Sequence, residues 1–517
     1  MAAKNPVPDA FAHLVNLADD ATGTFVVWAT DDYFAEKENL LKPHAAEWIE
    51  GRYTDKGKWM DGWESQRKRE AGHDSCILRL GTPGSVHGLV VDTTHFKGNA
   101  PQQVSFDVIE APLTSTAADL LARTDWAAVL SMANVQPDTH NVIALSAPSA
   151  RATHVRLHIH PDGGVARLRV FGMVEPDERA FWRSGVVDLA AIEHGGTIAA
   201  VSDQFFGPPS NLLLPGRGTN MGDGWETRRR RTPGSDWCVV RLGRRGIVER
   251  IELDTHFFKG NAPQATLVEA LDDTAPTPAA LRGSSGWRPF VSKTPLVQHR
   301  RHVLEPDRPM TVTHLRVHIF PHGGVNRLRF FGHARDTPAE ARALAAFHQH
   351  SDVDASELLH SFCGAGAFVS GMLARRPFPD VRALFSAAEE VWWSLPESAL
   401  LEAFAAHPKI GEQTKAATQT AQSATWSSGE QNKVAQAGPD ELARLADFNQ
   451  KYFNKFGFIF IVFASGRTTS DILQILESRI DHARAEEIEN AAREQARITR
   501  LRMEKWLRAA VTANRRT

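Results

Sequence analysis

Cysteine is scarce in this chain of 517 residues, with only Cys76, Cys238 and Cys363. An odd, sparse set does not build a disulfide framework and belongs to a reducing compartment. No CxxC pair and no zinc-type Cys/His spacing occurs, so no metal ligand is assigned. No uncharged apolar stretch approaches the ~18–20 residues that a bilayer span needs. Charge of one sign is lacking too: the net charge is −2 and the pI near 6.9. No global field therefore points to nucleic acid or an anionic membrane. The opening Met1-Ala-Ala-Lys-Asn-Pro has no apolar signal core, and Arg515-Arg516-Thr517 is no peroxisomal address. The expectation is a cytoplasmic protein that acts on small molecules, with no nucleic-acid or membrane partner, and that assembles as a homo-oligomer.

Hydrophobic residues make up 42% and charged residues 23%. That is a soluble globular composition, and the length accommodates about three domains at ~100–200 residues each. A duplication organises the first two thirds. Asp61-Gly-Trp-Glu64 recurs as Asp223-Gly-Trp-Glu226, an offset of 162. Asp92-Thr-Thr-His-Phe-Lys-Gly-Asn99 recurs at the same offset of 162 as Asp254-Thr-His-Phe-Phe-Lys-Gly-Asn261, and Cys76 recurs as Cys238. His158 and His318, each within an HI(H/F)P(D/H)GG block, are 160 apart. So long a period means two whole domains rather than a solenoid.

Each repeat reads as all-β. Val155-Arg-Leu-His-Ile159 and Leu315-Arg-Val-His-Ile319 alternate apolar with polar, the period of a half-buried strand. Paired glycines then turn the chain into Arg-Leu-Arg strands. From Asp336-Thr337-Pro338 the period lengthens to that of helices. One helical face runs from Val381 through Leu384, Phe385, Ala388, Val391 and Trp392 to Leu395, and another from Leu442 to Phe456, where Gly457 stops it. The expected architecture is two β-sandwich (jelly-roll) repeats, 1–174 and 175–335, followed by an all-α domain, 336–517.

The polar content of the repeats exceeds what a core requires. Asp92, Lys97 and Asn99 stand within eight residues, with Glu64, His95, His158 and Arg167 as further candidates. Cations suit a carboxylate, and amide or carboxylate acceptors suit urea N–H groups. Glu64 and Asp92 are candidate acid and base, with His95 beside them, while Lys97 or Arg167 would hold a carboxylate. The plainer reading stands next to this one. Asp92 and Asn99 close turns equally well, and Arg167 suits a solvated strand face. The cysteines and Trp63 and Trp225 read as core. His95 aligns with Phe257 and His160 with Phe320, so any proton-transferring histidines lie in the first repeat, or one site uses the repeats unequally.

In the helical part, Ala406-His-Pro-Lys-Ile-Gly411 puts His407 at a helix end, where the negative dipole favours its charged form and suits a proton donor. Ser427-x-x-Glu430 alone reads as a capping box, and the run from Phe458 to Ala464 as buried apolar chain.

Taken together, the two Asp-Gly-Trp-Glu blocks, the two Asp-Thr-x-x-Phe-Lys-Gly-Asn blocks and the two Gly-Gly-Val-x-Arg-Leu-Arg blocks resemble the allantoicase family over about 16–332. That resemblance implies two jelly-roll domains converting allantoate to ureidoglycolate and urea. It carries over no catalytic residue and leaves the need for a metal open. The blocks around His407, Ser427-Ser-Gly-Glu-Gln431 and Phe458-Ile-Phe-Ile461 resemble the 2-oxo-4-hydroxy-4-carboxy-5-ureidoimidazoline (OHCU) decarboxylase family over about 357–507. This second resemblance implies an all-helical enzyme that needs no cofactor and makes (S)-allantoin. It places catalysis on His407 and Glu430. Substrate contacts fall on Pro408, Ser427, Gln431, the segment Phe460, Ile461, Val462, Phe463 and Ala464, and Arg502. Both resemblances fall in urate catabolism. The rival expectation is a ligand-binding jelly roll in which only the helical domain is catalytic.

Overall fold

The computed structural model describes residues 8–11, 13–182, 185–410, 438–465 and 467–514. The chain divides into two compact units: Met1–Ala180 with Val186–Arg335, and Phe181–Gly185 with Asp336–Thr517.

In the first unit each repeat is a β-sandwich organised by one long strand, Asp74–Asp92 or Asp236–Asp254. The first half of Asp74–Asp92 pairs with Arg151–His160 and Phe25–Ala29, and its second half with Arg167–Val174 and His140–Ala144. One strand thus contributes to both layers. Alternation follows the expected period: Val155, Leu157 and Ile159 are fully buried, while Arg156, His158 and His160 point to the other face. Cys76 and Cys238 are free, buried core residues. Trp63 and Trp225 are also core, and their indole N–H groups donate to the carbonyls of Asp31 at 2.8 Å and Asp203 at 3.0 Å.

Much of the repeated motif is explained by packing. The Phe96 ring is buried against Gly62 and Gly164, where an added Cβ would lie 2.7 Å and 1.9 Å from ring carbons. Phe258 sits the same way on Gly224 and Gly324, at 3.0 Å and 1.9 Å. Only glycine lets the backbone approach the ring so closely. The Asp-Gly-Trp-Glu, Phe-Lys-Gly-Asn and Gly-Gly blocks therefore meet at one packing point in each repeat.

The second unit comprises, among the described residues, the helices Pro338–Gln349, Asp352–Phe362, Gly366–Leu373, Val381–Trp393, Glu397–Ala405, Pro439–Phe456, Thr469–Arg479 and Arg484–Asn514. Asp380 caps Val381–Trp393 by accepting from the Ala383 N–H at 2.7 Å. Gly457, at φ +80°, ends Pro439–Phe456. Leu384, Trp392, Phe404, Tyr452, Met503 and Leu507 belong to one apolar core, which also takes in Trp182. Phe458–Ala464 is neither helix nor strand. The Arg479 guanidinium, ion-paired with buried Glu487, donates to the Ile461 carbonyl at 3.0 Å, and the Phe463 N–H donates to Glu494 at 2.6 Å. These side chains satisfy backbone that a helix would otherwise satisfy itself.

Candidate functional sites

The helical unit holds a pocket lined by His407, Pro408, Ile410, the run Phe460–Ala464 with Ser465, and Ile498 and Leu501. Helix Glu397–Ala405 ends just before it, and the His407 N–H makes a last turn to the Phe404 carbonyl at 3.1 Å. Gly364 permits the approach: a Cβ there would lie 2.2 Å from that of Ala406. Asn449, buried, donates to the Ile410 carbonyl at 3.0 Å and fixes the far side of the turn. His407, Pro408 and Phe460, Ile461, Val462, Phe463 and Ala464 are thus brought together. Arg502 is buried next to His407, close enough to act on its charge. Ser427, Glu430 and Gln431 lie outside the described residues.

His407 differs from the sequence expectation in its charge. Burial drives its pKa down to about 3, the Arg502 guanidinium pushes the same way, and a contact with Gln495 only partly opposes them. A helix terminus stabilises an imidazolium by about 0.3–2 kcal/mol, whereas full burial can move a pKa by about 3–5 units, several kcal/mol. Desolvation wins, and His407 is a neutral imidazole at physiological pH. Gln495, buried and donating to Thr499 at 3.2 Å, was not singled out in the sequence. Cys363 is no nucleophile, since burial pushes its thiol up to about 11.

In the repeats the candidate residues separate into distinct places. Asn99 donates to Glu64 at 2.7 Å, and burial raises the Glu64 carboxyl above its ordinary value. Asn261 and Glu226 repeat the contact at 2.6 Å. His95 lies on the same loop system at φ +71°, its N–H donating to Asp138 at 2.8 Å and its ring 5.7 Å from Trp48. Phe257 takes the same left-handed conformation, at φ +70°. Lys97 has 77% of its side chain exposed and lies 3.7 Å from Asp138, so it is a surface cation rather than the carboxylate holder anticipated.

Arg167 is neither solvated nor open to a ligand. Fully buried, it pairs with Asp61 at 2.6 Å and donates to the carbonyls of His44, Asp61 and Ala166. Its five N–H donors secure the 44–61 loop, and this accounts for its burial. His158 belongs to another face, 2.9 Å from Asp107, 2.7 Å from Ser75 and 3.0 Å from His73. Asp92 is buried and closes a turn, its Oδ1 accepting from the Thr94 N–H at 2.9 Å and hydroxyl at 2.5 Å. Its other oxygen lies 3.4 Å from Nε2 of His140, the residue opposite it on the neighbouring strand.

His140 was not among the sequence candidates, and it leads to a feature that no motif announced. A cavity of about 300 Å³ lies between the two repeats, lined on the first-repeat side by Asn16, Asp19, Asp20, His140 and Arg169. The sequence signal that bears on it is a difference between repeats. The 3-10 helices Asp20–Thr22 and Ile192–His194 occupy equivalent places, each closed by a glycine at φ +87°, but Asp19-Asp20 is replaced by Ala191-Ile192.

Comparison with known proteins matches residues 15–175 and 187–335 to the Allantoicase repeat family and residues 348–504 to the OHCU decarboxylase family. A "Probable allantoicase" of Photobacterium profundum is 45% identical over 330 residues, covering 62% of this chain and 97% of that protein. A "Probable allantoicase 2" of Burkholderia mallei is 43% identical over 321 residues, covering 62% and 94%. The crystal structure of allantoicase from Saccharomyces cerevisiae superposes with a TM-score of 0.53 at 34% identity, covering 62% of this chain and 93% of that one.

Proposed function

The chain belongs to the allantoicase family through its two repeats and carries an OHCU decarboxylase domain behind them, and from that premise we propose how its two activities are carried out. It is a bifunctional enzyme of purine catabolism. The first unit hydrolyses allantoate to ureidoglycolate, as the (S)-enantiomer, and urea; the second decarboxylates OHCU to (S)-allantoin. The three buried free cysteines support a reducing, cytoplasmic setting. We retain homo-oligomeric assembly as part of this reading.

The observation that carries the decarboxylase assignment is the neutral His407 in a pocket walled by Phe460–Ala464, with buried Arg502 close enough to act on its charge. Arg502 attracts the carboxylate of OHCU, and main-chain groups of the extended segment hold one ring face. His407, being neutral, accepts a hydrogen bond from the 4-hydroxyl. The C–C bond to the carboxylate breaks, CO₂ leaves, and the electron pair enters the conjugated imidazoline ring. The ring nitrogen takes a proton from water, and the 4-hydroxyl proton passes through His407 to one face of the adjacent, ureido-bearing carbon as the ring carbonyl forms, which gives a single enantiomer. The substrate ring itself delocalises the charge, so we assign this step no cofactor. The family resemblance assigns Glu430, Ser427 and Gln431 to the same reaction.

The test uses the full chain with both substrates. Allantoate is expected to yield urea, and OHCU to yield dextrorotatory allantoin faster than it decays unaided. His407→Ala should remove the second activity, a loss of about 10²–10⁴-fold, and leave urea release unchanged. Loss of both would contradict independent sites, and no urea from folded wild-type protein would favour a binding role for the repeats.

A further inference from the structure

The cavity between the repeats combines features that a substrate site needs. At about 300 Å³ it falls at the lower end of ligand pockets. It holds a fixed cation: Arg169 is buried, its Nη atoms donating to the carbonyls of Leu40, Lys42 and Leu168. Burial lowers its pKa to about 10, so it still carries its charge at neutral pH. Asp19 and Asp20 supply carboxyls. Desolvation and then the adjacent Asp19 push the carboxyl of Asp20, an exposed residue at the cavity edge, up to about 6. His140 lines the cavity with buried Asp92 3.4 Å behind it, a carboxylate–imidazole pair reaching outward from the strand.

The second repeat builds the other wall differently. Ile192, Pro208, Ser210, Asn211 and Leu214 line it, and none of them is charged. Where His140 faces Asp92, Arg301 faces Asp254. The charged lining residues Asp19, Asp20 and Arg169 and the histidine all come from the first repeat, so the cavity is built unequally by the two repeats.

We propose that this cavity is where the allantoicase half binds its substrate, a small carboxylate bearing ureido groups. Arg169 faces the carboxylate, Asp19 accepts from ureido N–H groups, His140, oriented by Asp92, is the base, and Asp20 is the acid. The inference rests on the reading of this half as an allantoicase. In the step, a water oxygen bonds to the carbon bearing both ureido groups, and one C–N bond at that carbon breaks. One water proton passes to His140, and the departing nitrogen takes a proton from Asp20, leaving as urea. A proton then returns from His140 to Asp20, so the site is restored.

The experiment measures urea release by the full chain, with decarboxylation of OHCU by the same molecule as the folding control. His140→Gln is expected to lower kcat by about 10²-fold or more. Ser210→Trp fills the cavity from the opposite wall without touching a charge and should abolish urea release. Both should keep decarboxylase activity and the wild-type circular dichroism. Glu64→Gln, in the separate Glu64–Asn99 contact that also offers an acid or base, is the competing arm of the test. If His140→Gln and Ser210→Trp release urea at the wild-type rate, the cavity is not the site. A collapse confined to Glu64→Gln would move the site to that loop. Wild-type protein that releases no urea would instead overturn the allantoicase reading, and the proposal with it.

Discussion

The two repeats agree where they pack and disagree where they could do chemistry. Phe96 and Phe258 rest on the same pair of glycines. Asp92 and Asp254 close the same turn, accepting from Thr94 N–H at 2.9 Å and His256 N–H at 2.8 Å. Arg167 and Arg327 both reach back to carbonyls of the Asp-Gly-Trp-Glu loop. Around this shared frame, Arg301 stands in the place of His140, Ala191-Ile192 in that of Asp19-Asp20, and Phe257 in that of His95. A recurring polar block was read in the sequence as a grip on substrate. Most of it turns out to be what a sandwich of this shape needs to bring three loops together, and the asymmetry carries more functional information than the recurrence.

The sharpest way to break that comparison is Asp92→Asn against Asp254→Asn. Each change removes one charge from an equivalent turn and leaves an oxygen able to accept the turn's hydrogen bonds, so stability should change little and equally in both. Only Asp92 stands behind a cavity-lining histidine. Asp92→Asn is expected to cut kcat for urea release by about 10²-fold with KM nearly unchanged, since it acts by orienting His140. Loss of packing alone would not confine the effect to kcat. Asp254→Asn should cost no more than about twofold, a small fraction of the effect of a misplaced base. Equal losses would mean that the repeats are chemically equivalent.

A smaller effect tests the shared frame. Gly164→Ala and Gly324→Ala would each place a methyl 1.9 Å from a buried phenylalanine ring carbon. Overpacking of this kind costs about 1–3 kcal/mol, and matching losses of thermal stability are expected. Markedly unequal losses would show that Phe96 and Phe258 are not held alike.

The architecture was legible because its signals are local. Alternation in Val155–Ile159, the apolar face of Val381–Trp393 and the stop at Gly457 follow from periods and dihedral limits within a few residues. Sites are different because they combine residues far apart in the chain. Arg167 and Arg169 share one strand face, yet the first secures the 44–61 loop and the second faces a cavity, and only the neighbouring segments distinguish them. The charge of His407 was misread for a related reason. A helix end is visible in sequence, but the burial that outweighs its dipole depends on Arg484–Asn514 folding back over it. The pocket-lining segment Phe460–Ala464 was picked out by resemblance, though nothing local indicates that Arg479 and Glu494 hold it extended.

The mildest prediction concerns what the repeats share at low pH. His154 and His314 occupy equivalent buried positions, each beside a threonine hydroxyl at 3.0 Å. Burial first, and then Arg79 or Arg241, lowers each to about 4 from an ordinary 6.5. Between those values the unfolded chain binds a proton that the folded chain does not, so stability is retained above about pH 6.5 and falls as the pH drops toward 4. Replacing either histidine with Gln, which keeps a hydrogen-bonding group without titrating, should flatten the pH dependence of unfolding in this window by up to one proton. The two variants should flatten it equally, and the double variant by the sum, because the positions lie in separate repeats and share no partner. Denaturant unfolding followed at pH 7, 6 and 5 measures the slope. A change confined to one repeat would show that the frame itself, and not only the chemistry around it, has diverged.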